Sequence, residues 1–181
     1  MQIILGRLDT HLGRPRQAQQ RLRAAYDGGQ PPAEYWAAVG ARLGIAVDDP
    51  LAERLTAADI AGWLHPDPAA LDLLDELRSA PVQLALLSNA PAVFGRAAER
   101  QDWTRGFQHL LFSGDVQLIK PDPRIYRLLL DRIGARAAEC LFFDDRPDNV
   151  RAAQECGMRA ELWRGAPAAR SGLRERGAIT P

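Results

Sequence analysis

From residue 67 to residue 163 the chain alternates short apolar runs with amphipathic segments of helical length, and no other feature restricts its fold as much. Residues 82–87 are apolar but for one Gln, residues 110–112 form a shorter apolar segment, residues 140–143 are wholly apolar, and residues 160–163 are apolar but for Glu161. Runs of this length without polar alternation predict strands buried on both faces. The segments between them predict helices. Asp67 caps one that begins with Pro68 and turns Leu71, Leu74 and Leu77 inward, and a second runs from Pro91 to about Gln101. Asp122-Pro123 opens a third, with Ile125, Leu128, Leu129 and Ile133 on its buried face and Gly134 as its stop; residues 147–155 form a fourth, ended by Gly157. Strands alternating with helices require right-handed crossovers, so the expected core is an α/β fold, a parallel sheet flanked by helices. Ligands of such sheets gather beyond the carboxyl ends of the strands.

Residues 11–65 show helical periodicity instead. Leu22, Tyr26, Tyr35, Trp36, Val39 and Leu43 recur at threes and fours, interrupted by Gly28-Gly29, Pro31-Pro32 and Gly44, and Leu51, Leu55, Ile60 and Trp63 continue the pattern to His65-Pro66. They predict a small helical bundle whose aromatic residues form its core, with lining a pocket as the alternative. It follows a single short apolar run at residues 3–5. The expected organisation is therefore a helical unit over 11–65, an α/β core over 1–10 and 66–165, and a tail over 166–181. The Gly-, Ala- and Arg-rich tail reads as a weak helix or a frayed end.

A formal net charge of zero carries no basic footprint for nucleic acid. No apolar stretch approaches the eighteen or so residues of a membrane span, and Cys140 and Cys156 lie outside any paired-ligand spacing, so the expected protein is cytoplasmic, with two small buried thiols. Oligomeric state is not indicated. Of the 23 basic residues all but Lys120 are arginine. A chain that writes arginine for every generic surface cation has a reason for its sole lysine that a compact ammonium satisfies and a planar fork does not.

Three chemical groups fall at successive ends of strands or strand-loop segments. Ser88-Asn89 leaves the first run before a helix, where a hydroxyl with backbone N–H groups can hold a phosphoryl oxygen, or can simply cap the helix. Lys120, in Ile119-Lys120-Pro121-Asp122-Pro123, can neutralise charge on a phosphoryl group, or stand as a solvated cation beside a helix. Asp144-Asp145 closes a wholly apolar strand, where two carboxylates can hold Mg²⁺, while Asp145 or Asp148 can cap the helix that follows. A parallel sheet gathers all three at one edge.

That ordered set resembles the haloacid dehalogenase-like (HAD) superfamily of hydrolases. Ser88 with Asn89 is similar to its second motif, Lys120 in KPDP to its third, and Asp144-Asp145 in FFDDRPDNV to its fourth; SGDVQLIKPDPRIY over residues 113–126 is similar to the family's run into that lysine. The resemblance covers roughly residues 67–163 and implies a Rossmannoid sheet with a small α-helical cap, supplied by residues 11–65. It implies a magnesium-dependent phosphatase acting on a small phosphorylated molecule. Ser88, Asn89 and Lys120 would bind phosphate, with Ser88 and Lys120 catalytic and Asp144 and Asp145 on the metal. Dehalogenation needs no metal, so the acid pair points to the phosphate-using branch.

The family's first motif places two aspartates, two residues apart, at the end of the first strand, one as nucleophile and one as acid. Here Gly6 and Leu8 follow the run at residues 2–5, and Asp9 is displaced from that register. Three readings remain open: an N-terminally shortened phosphohydrolase, a non-catalytic relative that binds a phosphorylated ligand or a protein partner, and an enzyme in which Asp9 serves as nucleophile.

Overall fold

The computed structural model describes residues 1–5 and 17–179. Five parallel strands, β1 (Gln2–Leu5), β2 (Gln83–Ser88), β3 (His109–Phe112), β4 (Cys140–Asp144) and β5 (Arg159–Leu162), form one sheet in the order β3-β2-β1-β4-β5. Short as it is, β1 is the central strand: Leu5 lies opposite Leu86 on one side and Phe143 on the other. Side chains alternate across the pleat, so each strand serves two cores. Leu84, Leu86, Leu141 and Phe143 pack with Leu74, Leu77, Trp163 and Leu173 on one face. Ala85, Leu87 and Phe142 pack with Ile125, Tyr126, Leu129 and Ala153 on the other.

Three helices, α1 (Gln17–Asp27), α2 (Pro32–Leu43) and α3 (Asp49–Trp63), lie within the stretch expected to be a helical bundle. Tyr26 and Tyr35 are buried, as the periodicity predicts, and stack at 4.2 Å and 6°, whereas Trp36 and Trp63 are only partly buried. Trp36 meets Tyr35 edge-on at 4.9 Å and donates to Thr56 Oγ1 at 2.9 Å. Arg23 ties α1 to α3, pairing with Asp27 and with Asp59, each at 2.9 Å, beneath the rings of Tyr26 and Trp63. Burial works against its charge, but the two carboxylates more than offset this and hold the Arg23 guanidinium above its ordinary value.

Helix α4 (Pro68–Arg78) is capped by Asp67, which accepts the Ala69 N–H at 3.0 Å. Its buried stripe is Ala70, Leu73, Leu74 and Leu77, with Leu71 only partly covered. The buried face is thus rotated by a fraction of a turn from the expected Leu71, Leu74 and Leu77. Helix α5 (Ala92–Ala98) stops earlier than the expected Gln101, giving way to a 3₁₀ turn at Asp102–Gly106. A four-residue helix that the sequence does not announce, α6 (Ser113–Val116), follows β3 at once. Asp122 caps α7 (Pro123–Ile133) through the Arg124 N–H, α8 (Pro147–Glu155) follows β4, and a 3₁₀ turn spans Ala137–Glu139.

The stretch after Arg164 is helical, one of its two expected readings, and packs more firmly than a weak helix would. It forms α9 (Ala166–Glu175), whose Ala166, Ala169 and Leu173 are buried against the sheet and α4, with Ala178 and Ile179 buried beyond it. Arg170 pairs with Glu76 of α4 at 2.8 Å. The spacing of three and four between its apolar residues makes an amphipathic stripe out of a composition that otherwise reads as loose. Among the described residues no helix is long and apolar enough to cross a membrane.

Candidate active site

β2 and β4 lie on either side of β1, and both end at the same edge of the sheet. Leu87 and Asp144 are each one residue past the partners of Leu5. The Lys120 ammonium joins them, donating to the Leu87 carbonyl at 2.8 Å and to Asp144 Oδ2 at 2.6 Å, above the Phe142 ring at 5.6 Å. The sole lysine therefore spans the carboxyl end of the central strand. It is no solvated cation: Lys120 is 3% exposed and Asp144 1%. Removing both charges from water is costly and is offset only when geometry and further hydrogen bonds satisfy them. The Asp144 carboxylate meets that condition, accepting the Arg146 N–H at 2.9 Å and the Asn149 side-chain amide at 2.8 Å on Oδ1.

Ser88 is the last residue of β2 and is partly buried. It does not cap α5, where Pro91 holds the cap position without any side-chain bond. Asn89 is directed at Lys120: its Oδ1 accepts the Lys120 N–H at 2.8 Å and its Nδ2 donates to the Lys120 carbonyl at 2.9 Å. Asp145 is partly buried beside Asp144, whereas Asp148 is exposed and pairs with Arg151 at 2.7 Å. Neither caps α8, whose cap position is Arg146 without a side-chain bond; the acid that reaches that turn is Asp144. Ser88, Asn89, Lys120, Asp144 and Asp145 thus meet at one edge. Asp9, with Gly6 and Leu8, lies outside the described residues.

Among the described residues no group of three His, Cys, Asp or Glu side chains is gathered for a metal ion. Magnesium does not need one, since it binds through one or two carboxylates with water and phosphate oxygens completing its shell. Asp145 is partly buried at the same strand end. Asp144, enclosed by three protein donors, is placed to fix the loop that carries Asp145.

Four further residues support the site in roles the sequence reading did not assign. Asn149, 2% exposed, orients Asp144, and its own backbone carbonyl accepts from Tyr126 Oη at 3.0 Å. Burial, with the Asp144 charge adding to it, raises the Tyr126 phenol above its ordinary value and keeps it a donor. Ser113, wholly buried, accepts the Ala90 N–H at 2.9 Å and donates to the Asp27 carbonyl at the end of α1. Beside it Gly114 N–H bonds the Ala90 carbonyl at 3.0 Å; a Cβ there would meet the Ala92 nitrogen and come within 2.8 Å of the Pro91 carbonyl carbon, so only glycine fits. In the sequence Asn149 stands within FFDDRPDNV, and Ser113, Gly114 and Tyr126 within SGDVQLIKPDPRIY, runs that mark the region without assigning these residues their roles.

The model of the haloacid dehalogenase-like hydrolase family matches residues 13–157. A sesquiterpene phosphatase of Aspergillus oryzae is 32% identical over 129 residues, which are 70% of this chain and 64% of that protein. An (S)-2-haloacid dehalogenase of Pseudomonas putida is 30% identical over 119 residues, 64% of this chain and 51% of that one. The chain thus spans between about half and two thirds of the length of these curated relatives. A solved HAD-family enzyme from Bacteroides thetaiotaomicron, crystallised as a magnesium complex, superimposes with a TM-score of 0.71 over 90% of this chain and 93% of its own, at 21% identity, a likeness of fold.

Proposed function

Because the chain belongs to the haloacid dehalogenase-like hydrolase family, we propose that its site is built for Mg²⁺-dependent hydrolysis of the phosphate monoester of a small molecule, and that this chain turns over poorly. The buried Lys120–Asp144 pair across the end of β1 carries the reading. Its ammonium places fixed positive charge where a phosphoryl group would meet the sheet edge, in surroundings that strengthen the effect. The Ser88 hydroxyl holds a phosphoryl oxygen, and Asp145 holds the metal with Asp144 orienting its loop. Magnesium, when bound there, neutralises charge on the phosphoryl oxygens. Residues 11–65 act as a cap over residues 1–10 and 66–165: the end of α1 rests on Ser113, and a Cβ on Gly28 would lie 3.6 Å from Ile119, next to Lys120. Phosphatases and a dehalogenase stand among the relatives; the acid pair favours the phosphate-using branch. Two free thiols, Cys140 and Cys156, suit a reducing compartment.

Poor turnover follows from Gly6 and Leu8 standing where an Asp-x-Asp pair would follow β1. Loss of a covalent nucleophile commonly costs on the order of 10⁴-fold or more in rate. The same substitution supports a second reading, a non-catalytic module that retains the anion-binding side of the site. With the full chain, Mg²⁺ and an aryl phosphate, hydrolysis should be negligible, while titration calorimetry should show inorganic phosphate binding in the presence of Mg²⁺. Robust turnover abolished by Asp9→Asn would make Asp9 the nucleophile and overturn the impaired reading. Installing Gly6→Asp with Leu8→Asp should raise turnover by about 10²-fold or more if the rest of the site is competent. Neither turnover nor phosphate binding in any of these proteins would remove the phosphate reading altogether.

A further inference from the structure

We propose that Asn89 is a positioning residue that sets the backbone of Lys120, and not a ligand for phosphate; the consequence for catalysis rests on the function proposed above. Lys120 sits in a turn, outside any strand ladder, so its N–H and C=O have no regular partners. One side chain satisfies both. Asn89 Oδ1 accepts the N–H at 2.8 Å and Nδ2 donates to the C=O at 2.9 Å, so a single planar amide pairs with residue 120 as a neighbouring strand would. The orientation of the amide is dictated by this partner, because only the oxygen can accept from an N–H.

The two residues flanking Ser88 thus hold opposite ends of the same lysine. Leu87 receives the ammonium through its carbonyl, and Asn89 fixes the main chain. With its backbone clamped to the end of β2, the lysine's four-carbon stem reaches back over β1 and brings the ammonium to Asp144. An amide fixed at two points cannot also swing to follow a phosphoryl group. Asn89 therefore acts through Lys120.

Because the chain holds one lysine, labelling with ¹⁵N-lysine yields a single backbone amide signal and a single side-chain ammonium signal, both from residue 120. In the wild-type protein the amide should be protected from hydrogen exchange and the ammonium should exchange slowly enough to be seen. Asn89→Ala should speed amide exchange about tenfold or more and broaden or shift the ammonium signal while circular dichroism stays native. Asn89→Asp, which keeps the acceptor and loses the donor, should retain most of the amide protection; it also serves if the alanine variant does not fold. Unchanged Lys120 signals in a folded Asn89→Ala protein would overturn the clamp. So would a tenfold loss of inorganic phosphate binding with those signals unchanged, which would make Asn89 a direct ligand. Absence of phosphate binding by the wild type would count against the function proposed above and leave the exchange result to decide the clamp.

Discussion

A buried cation paired with a buried carboxylate leaves little tolerance at position 120. Lys120→Met should destabilise the protein by about 3–5 kcal/mol, because it strands the Asp144 charge away from water. Lys120→Arg should not restore stability, since a planar fork cannot reproduce one point donor shared by Leu87 and Asp144. Urea denaturation of the two variants reads both effects, and a loss below about 1 kcal/mol for Lys120→Met would show the pair to be energetically idle. Gly114→Ala should cost about 1–3 kcal/mol and shift the Ala90–Pro91 backbone, measured as a lower thermal midpoint together with weaker phosphate binding. At this scale the sequence announced Lys120 by its rarity and Asp144-Asp145 by their place after an apolar strand. It could not separate the two acids, because which of them turns inward depends on donors from Arg146, Asn149 and Lys120 that only the folded chain assembles. Ser113 opens the run that leads into Lys120, but its role stayed hidden because its partners are at positions 27 and 90.

The strands and most helices were legible because apolar runs, Asp-Pro starts and Gly stops act locally. Asp67 and Asp122 cap α4 and α7 as their positions imply, and Gly134 closes α7 in the left-handed region at φ 64°. The misjudged elements take their structure from contacts made elsewhere. Helix α9 is specified by three apolar residues that find the sheet and α4, so its stability is tertiary. Leu173→Ala should therefore destabilise the whole fold by about 2–5 kcal/mol, and urea unfolding followed by tryptophan fluorescence should show one cooperative transition at lower denaturant. A separate early transition, with the core unmoved, would show α9 to be the loose tail its composition suggests. At α3, Asp48→Ala removes the acceptor for the Leu51 N–H and should cost about 0.5–2 kcal/mol. The expected sign is a lowered thermal midpoint; an unchanged midpoint would mean the cap is replaced by water.

Taken as a whole, the molecule keeps all three of its tyrosines out of water. Tyr26, Tyr35 and Tyr126 each have a phenol raised above its ordinary value of 10.0, in every case chiefly by burial. The unfolded chain would release these protons near its ordinary value while the native one retains them. Stability from this source is therefore complete below about pH 10 and declines as pH rises past it. Tyrosinate absorbance should rise together with the loss of far-ultraviolet circular dichroism; phenols ionising near pH 10 in a protein that keeps its native spectrum would contradict their burial. The buried lysine has a further, practical corollary. With its one ε-amine enclosed, the folded chain should shield residue 120 from acylating reagents, so uptake of label there reports unfolding.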